Sequence, residues 1–225
     1  MDQEARPDFQ PWKLEAPAYN PTEQEETACL AVLESRNPAL LPVALPRWVF
    51  LQWLAERGWL LHGSQAGNLN ELKPTEREYN QPDDFSDTRG VYAASDGLWA
   101  MIYALRGPQS QNQSDMGLRL RLPDGEWSAM RYFLSLAARD PETLDARSLL
   151  AAGFVYVLPR TGFQPSPPYF HLGLGEVQEA HWVSSAPVRP LMSVPVSPDD
   201  FPLRVGLHEA ATVRTRAAAN PWGFP

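Results

Sequence analysis

The stretch "GVYAASDGLWAMIY", residues 90–103, changes its period halfway. Residues 90–94 form a short apolar run, the length of one strand. Ser95 or Asp96 then supplies a polar cap, and residues 95–107 read as a helix closed by Gly107. Working outward, "WLLHGSQAGN" at residues 59–68 makes a second element of this kind. Trp59 to His62 read as a strand, which hands over to Gly63, Ser64 and a polar turn.

Before that strand, "PRWVFLQWLAERG" at 46–58 is the clearest helix, with Pro46 suited to the first turn and Gly58 to the position just past the end. Residues 63–89 read as a long polar surface loop. Beyond the second helix, "GLRLRL" (117–122) alternates strictly and turns at Pro123-Asp124-Gly125 into "EWSAMRYFLSL", a hairpin pattern. Residues 141–153 carry one or two helical turns. "FVYVLP" (154–159), "EVQEAHWVSS" (176–185) and "PLMSVPV" (190–196) complete the strands. Two helix–strand units followed mostly by strands define an α+β chain with a mixed or antiparallel sheet.

The organisation expected is three-part. Residues 1–45 form a Pro-rich N-terminal arm, extended or packed on the domain, with a short helix at 28–37. Residues 46–210 form the domain, and residues 211–225 a tail. The 23 prolines, roughly twice average usage, imply many loops and few long helices.

The chain has 225 residues and a formal charge of −8, with a pI near 5.0. An acidic balance excludes the broad basic face of a nucleic-acid binder. No apolar run approaches the ~18–20 residues of a membrane span, so no membrane partner is expected. The N-terminus lacks the apolar core of a signal peptide. The single Cys29 excludes an internal disulfide. Together these point to a cytoplasmic protein. His62, His171, His181 and His208 show no close metal-binding spacing, and neither a dinucleotide fingerprint nor a P-loop is present. His171, in a proline-rich loop, and His208, in a surface turn, read as structural, and Asp83-Asp84 and Asp199-Asp200 as turn caps.

Two segments resemble the catalytic domain of the ADP-ribosyltransferase superfamily, in its poly(ADP-ribose)-polymerase and diphtheria-toxin-like branch. "LLHGSQAGN" carries His62, Gly63, Ser64 and Asn68 where that branch has a His-Gly-Ser or His-Gly-Thr strand end and a later Asn. "GVYAASDGLWAMIY" carries Gly90, Tyr92 and Ala94, then Tyr103 eleven residues after Tyr92, in the family's register, with Ala100 at a small helix position. The resemblance implies an ADP-ribosyltransferase-like split, mixed or antiparallel β-sheet with flanking helices. It implies NAD as substrate. His62 and Gly63 would bind NAD, Tyr92 and Tyr103 would clamp the nicotinamide, and Ser64 would touch the carboxamide. The residue types suit these roles: imidazole bonds ribose hydroxyls, glycine permits close backbone approach, and aromatic rings stack on a flat heterocycle.

The family's late glutamate aligns with "QEAHWVSS", which puts His181 at its position and Glu179 two residues earlier. On one strand, residues two apart face the same side, so both would look into one cleft. Breaking the bond at C1′ of the nicotinamide ribose builds positive charge, which a carboxylate stabilises. Glu179 is the expected third catalytic residue beside His62 and Tyr92, with His181 or Glu176 as substitutes and His181 as a further NAD contact. Arg89 flanks the cleft as a candidate phosphate partner.

The expected reaction is transfer of ADP-ribose from NAD to an acceptor of unknown class (protein, nucleic acid or small molecule), releasing nicotinamide. One alternative is a catalytically degenerate domain that binds NAD, ADP-ribose or a protein partner. Another is an RNA 2′-phosphotransferase on the same fold, which would need several basic residues that the acidic balance disfavours.

Overall fold

The computed structural model of the chain describes residues 14–76, 85, 88–171 and 174–219. The first thirteen residues of the arm, the Asp83-Asp84 pair and the last six residues of the tail lie outside the described residues. What it describes is an α+β arrangement of two sheets and few helices. No helix among the described residues is long and apolar enough to cross a membrane.

The arm is helical from Glu23, as α1 (Glu23–Ser35), rather than extended to residue 28. Thr22 and Glu25 form a reciprocal capping box, the Thr22 hydroxyl accepting from the Glu25 N–H and the Glu25 carboxylate from the Thr22 N–H. Cys29 and Val32 from this helix are fully buried in the main core, so the arm is part of the packed body.

Helix α2 (Arg47–Glu56) follows, with Pro46 as its N-cap. Gly58 takes φ +85°, the left-handed value that ends a helix at low cost only for glycine. The chain then enters β1 (Leu60–Ser64), and after the long loop β2 (Val91–Ala94) and α3 (Gly97–Ala104). Helix α3 is three residues shorter at its end than its pattern suggests, because Leu105 already serves as its C-cap. It is apolar on every side, and all but Tyr103 of its residues are buried. Such a helix needs covering all round.

The next strands are β3 (Ser110–Leu120), β4 (Arg131–Ala138) and β5 (Gly153–Leu158), with a single 3-10 turn at Ala146–Leu149. β3 begins seven residues before the alternating run. Its polar first half pairs with β4 almost residue for residue, and Gly125 turns the hairpin at φ +87°. Short strands β6 (Gln164–Pro165) and β7 (Tyr169–His171) come next, so the segment around His171 is strand rather than loop. Then come β8 (Gly175–Glu179), β9 (His181–Ser184), β10 (Met192–Val196) and β11 (Gly206–Leu207). The expected tail instead forms α4 (Ala210–Ala219).

The first sheet runs β10-β5-β1-β2-β9-β6 and the second β11-β4-β3-β8-β7. All pairs are antiparallel except β11 with β4. Two details place the site. First, β1 pairs with β5 along its whole length but with β2 only at Leu61↔Ala94, so the first sheet splits there. Second, the expected single strand 176–185 is two strands in different sheets. Ala180 is the crossing point, with its N–H on the Gly117 carbonyl of β3 and its C=O on the Ser95 N–H.

Candidate functional site

The split between β1 and β2 opens a small cleft. Its walls come from β1, β2, α3 and the first residue of β9. His62, Gly63, Tyr92, Tyr103 and His181 all line it, together with Ala100. These residues span about half the chain and converge because the two strands part.

His62 sits where the ladder between β1 and β2 has ended. Its Nδ1 is 2.7 Å from the Tyr92 carbonyl oxygen. A carbonyl only accepts, so Nδ1 carries the proton and donates. In the neutral ring, Nε2 is then an acceptor, suited to a hydroxyl. The Tyr92 side chain is 4% exposed. Its hydroxyl donates to the carbonyl oxygens of Phe85 and Thr88, which ties the incoming segment to the cleft wall.

Gly63 lines the cleft and also sets the spacing between β1 and α3. A Cβ there would run into the Ala100 carbonyl oxygen and the Ala104 N–H, and reach within 3.0 Å of Tyr103 Cβ. The missing side chain lets α3 lie directly on β1, which holds Tyr103 beside His62. Ser64 is not part of the lining. Its hydroxyl accepts from the Ala66 N–H, closing the turn that follows the strand. Asn68, in the same turn, takes φ +59°.

Trp99 is the lining residue that the sequence reading passed over. It precedes Tyr103 by four residues, so the two share a helix face, and that spacing was the available signal. Its ring centroid lies 6.4 Å from that of Tyr103. The indole N–H donates to Asp115 Oδ2 at 3.0 Å. Gly117 lies beneath it, where a Cβ would come within 2.6 Å of Trp99 Cγ.

Helix α3 is fixed at its start by Asp96, buried and 1% exposed. Asp96 accepts from the Trp99 N–H at 2.8 Å and from the Tyr132 hydroxyl at 2.7 Å. Burial pushes its carboxyl above the ordinary carboxylate value, while the hydrogen bonds from Trp99 and Tyr132 pull it back. Of the two caps open in the sequence, Asp96 is the one used.

His181 occupies the far wall. Its ring lies 5.0 Å from Tyr92, 5.2 Å from Trp99 and 5.6 Å from Phe85, centroid to centroid. The rings of Tyr92, His181, Trp99 and Tyr103 therefore follow one another round the cleft. Glu179 does not reach the lining. It lies on β8 of the second sheet, behind His181. One of its oxygens accepts from the Tyr169 hydroxyl at 2.8 Å, and the other is 3.6 Å from His181 Nδ1. That nitrogen is buried and has no hydrogen-bond partner among the described residues.

The remaining candidates lie elsewhere. Glu176 faces Arg121 at 3.8 Å on the exposed side of the second sheet. Arg89 is exposed. His208 is not a plain surface turn: its Nδ1 is 2.8 Å from Ser135 Oγ and its Nε2 3.0 Å from Asn112 Oδ1, which docks β11 on the hairpin. Burial lowers its pKa below the usual imidazole value. Asp200 accepts from the Ser197 N–H and hydroxyl, capping a short turn. Among the described residues no three His, Cys, Asp or Glu side chains group to hold a metal.

No family model matches the chain, and no curated protein or solved structure matches it.

Proposed function

We propose that the chain is an ADP-ribosyltransferase-like domain that takes NAD into this cleft and transfers ADP-ribose to an acceptor, releasing nicotinamide. One observation carries the reading. The His62, Tyr92 and Tyr103 side chains, named together from sequence, line a single cleft at the point where one sheet splits. The residues suit the substrate. A ring pocket walled by Trp99 and Tyr103 is apolar enough for nicotinamide, and each stacked face contributes about 0.5–1.5 kcal/mol beyond burial. The imidazole of His62 is of a type that bonds ribose hydroxyls. The single, buried Cys29 fits a reducing compartment such as the cytoplasm.

A second reading, a domain that binds NAD or ADP-ribose without turnover, is favoured by one feature: no carboxylate is among the described residues lining the cleft. Two measurements separate the readings. Titration calorimetry with NAD gives saturable binding under both. Nicotinamide release appears only if the chain is a transferase. Absence of binding by a folded chain removes both.

A further inference from the structure

The geometry points to a relay in which His181 takes the acceptor's proton, and Glu179, held by Tyr169, is the positioning residue that orients the imidazole and balances its charge. The inference rests on the ADP-ribosyl transfer reading above and assigns that site its third group.

Three observations carry it. His181 lines the cleft, whereas Glu179 does not. The buried Nδ1 of His181 faces Glu179 Oε2 at 3.6 Å, within ion-pair reach but longer than an N–H···O bond of about 3.0 Å. The second carboxylate oxygen is held by the Tyr169 hydroxyl at 2.8 Å, which fixes the carboxylate from behind. The side chains of His181 and Glu179 are 15% and 13% exposed, so water screens the pair weakly. A carboxylate facing Nδ1 favours the tautomer with its proton on Nδ1, which makes Nε2 the basic nitrogen of the ring. The rings of Tyr92, Trp99 and Phe85 around His181 add faces that attract a cationic imidazole.

The step balances without a further reactant. The bond between nicotinamide and C1′ of the ribose breaks, and its electron pair leaves on nicotinamide. The acceptor's oxygen or nitrogen gives a lone pair to C1′ and its proton to His181 Nε2. The imidazolium, neutralised by Glu179, then returns that proton to solvent. Glu179 thus acts through the ring, which is why a histidine can stand at the cleft where direct chemistry would call for a carboxylate.

The test measures nicotinamide release from NAD by the full chain, with water and the chain's own side chains as acceptors, alongside NAD binding by calorimetry. The relay predicts that Glu179→Gln and His181→Ala each lower kcat about 10²-fold, while the NAD dissociation constant of Glu179→Gln, a residue outside the cleft lining, changes less than about threefold. Added imidazole restores part of the turnover of His181→Ala, which a purely structural loss would not allow. Wild-type turnover with an unaltered kcat in Glu179→Gln overturns the relay and leaves the transfer reading standing. So does turnover by His181→Ala at the wild-type rate, or His181→Ala activity that imidazole cannot restore. A wild-type chain that releases no nicotinamide overturns the transfer reading and the relay with it.

Discussion

His62 and Tyr92, thirty residues apart, are joined by a hydrogen bond of 2.7 Å from a ring nitrogen to a backbone oxygen. The bond spans the split in the first sheet and supplies a partner for a carbonyl at the point where the ladder between β1 and β2 has ended. It also fixes Nδ1 as the ring nitrogen of His62 that carries the proton. His62→Ala is expected to weaken NAD binding about tenfold, the equivalent of one hydrogen bond of about 1.4 kcal/mol. Calorimetry on variant and wild type checks it. Unchanged affinity removes His62 from the binding surface.

Gly63 is predicted to resist even the smallest substitution. The Cβ of Gly63→Ala would collide with backbone atoms of α3, which cannot swing aside as a side chain does. Overpacking of this kind costs about 1–3 kcal/mol. For a chain of this size each kcal/mol lowers the melting temperature by roughly 2–4 °C. A thermal melt equal to wild type would mean that α3 does not lie against β1 as described.

Tyr92→Phe keeps the ring in the cleft wall but removes the hydroxyl that holds Phe85 and Thr88. The expected cost is about 0.5–1.5 kcal/mol. Amide hydrogen exchange should quicken at Thr88 and its neighbours while β1 and β5 stay protected. Uniform protection across the chain would show that the tether is not needed.

His208 gives a pH dependence of definite sign. Burial holds its folded-state pKa below the ordinary value of about 6.5. On acidification the unfolded chain therefore takes up the proton first. The contribution of His208 to stability is complete above about pH 6.5 and is lost as the pH falls through the lower folded value. His208→Gln cannot titrate, so its melting temperature should fall less than that of wild type between pH 7.5 and pH 5.5. Parallel curves would refute the assignment.

Much of this arrangement was legible in the sequence, and the reasons differ from element to element. Helix α2 announced itself through Trp48, Leu51 and Leu54 at helical spacing and through Gly58 past its end. The strand–helix unit at 90–104 was legible because an apolar run, a cap and a second apolar run follow in order. Helix α1 carried a Thr22–Glu25 capping signal that its weak apolar pattern obscured, since only Cys29 and Val32 are buried. β3 was read too short because the polar residues of its first half are held by pairing with β4, a long-range contact with no local trace. The convergence of His62, Tyr92 and Tyr103 on one cleft was implied by the family resemblance rather than by any local pattern. Trp99 as cleft wall depends on Asp115 and Gly117, which only the fold brings near. The placement of Glu179 behind His181 was hidden for a similar reason: alternation along one strand assumes one sheet, and the chain changes sheets at Ala180.

That change of sheets is abrupt. A single residue, anchored at its N–H by Gly117 and at its carbonyl by Ser95, separates the two partners of the relay. With no slack segment at the seam, a small slide of one layer over the other would be delivered undiluted to the gap between carboxylate and imidazole. The alignment of those two groups is thus a gauge of how the two halves of the molecule sit together.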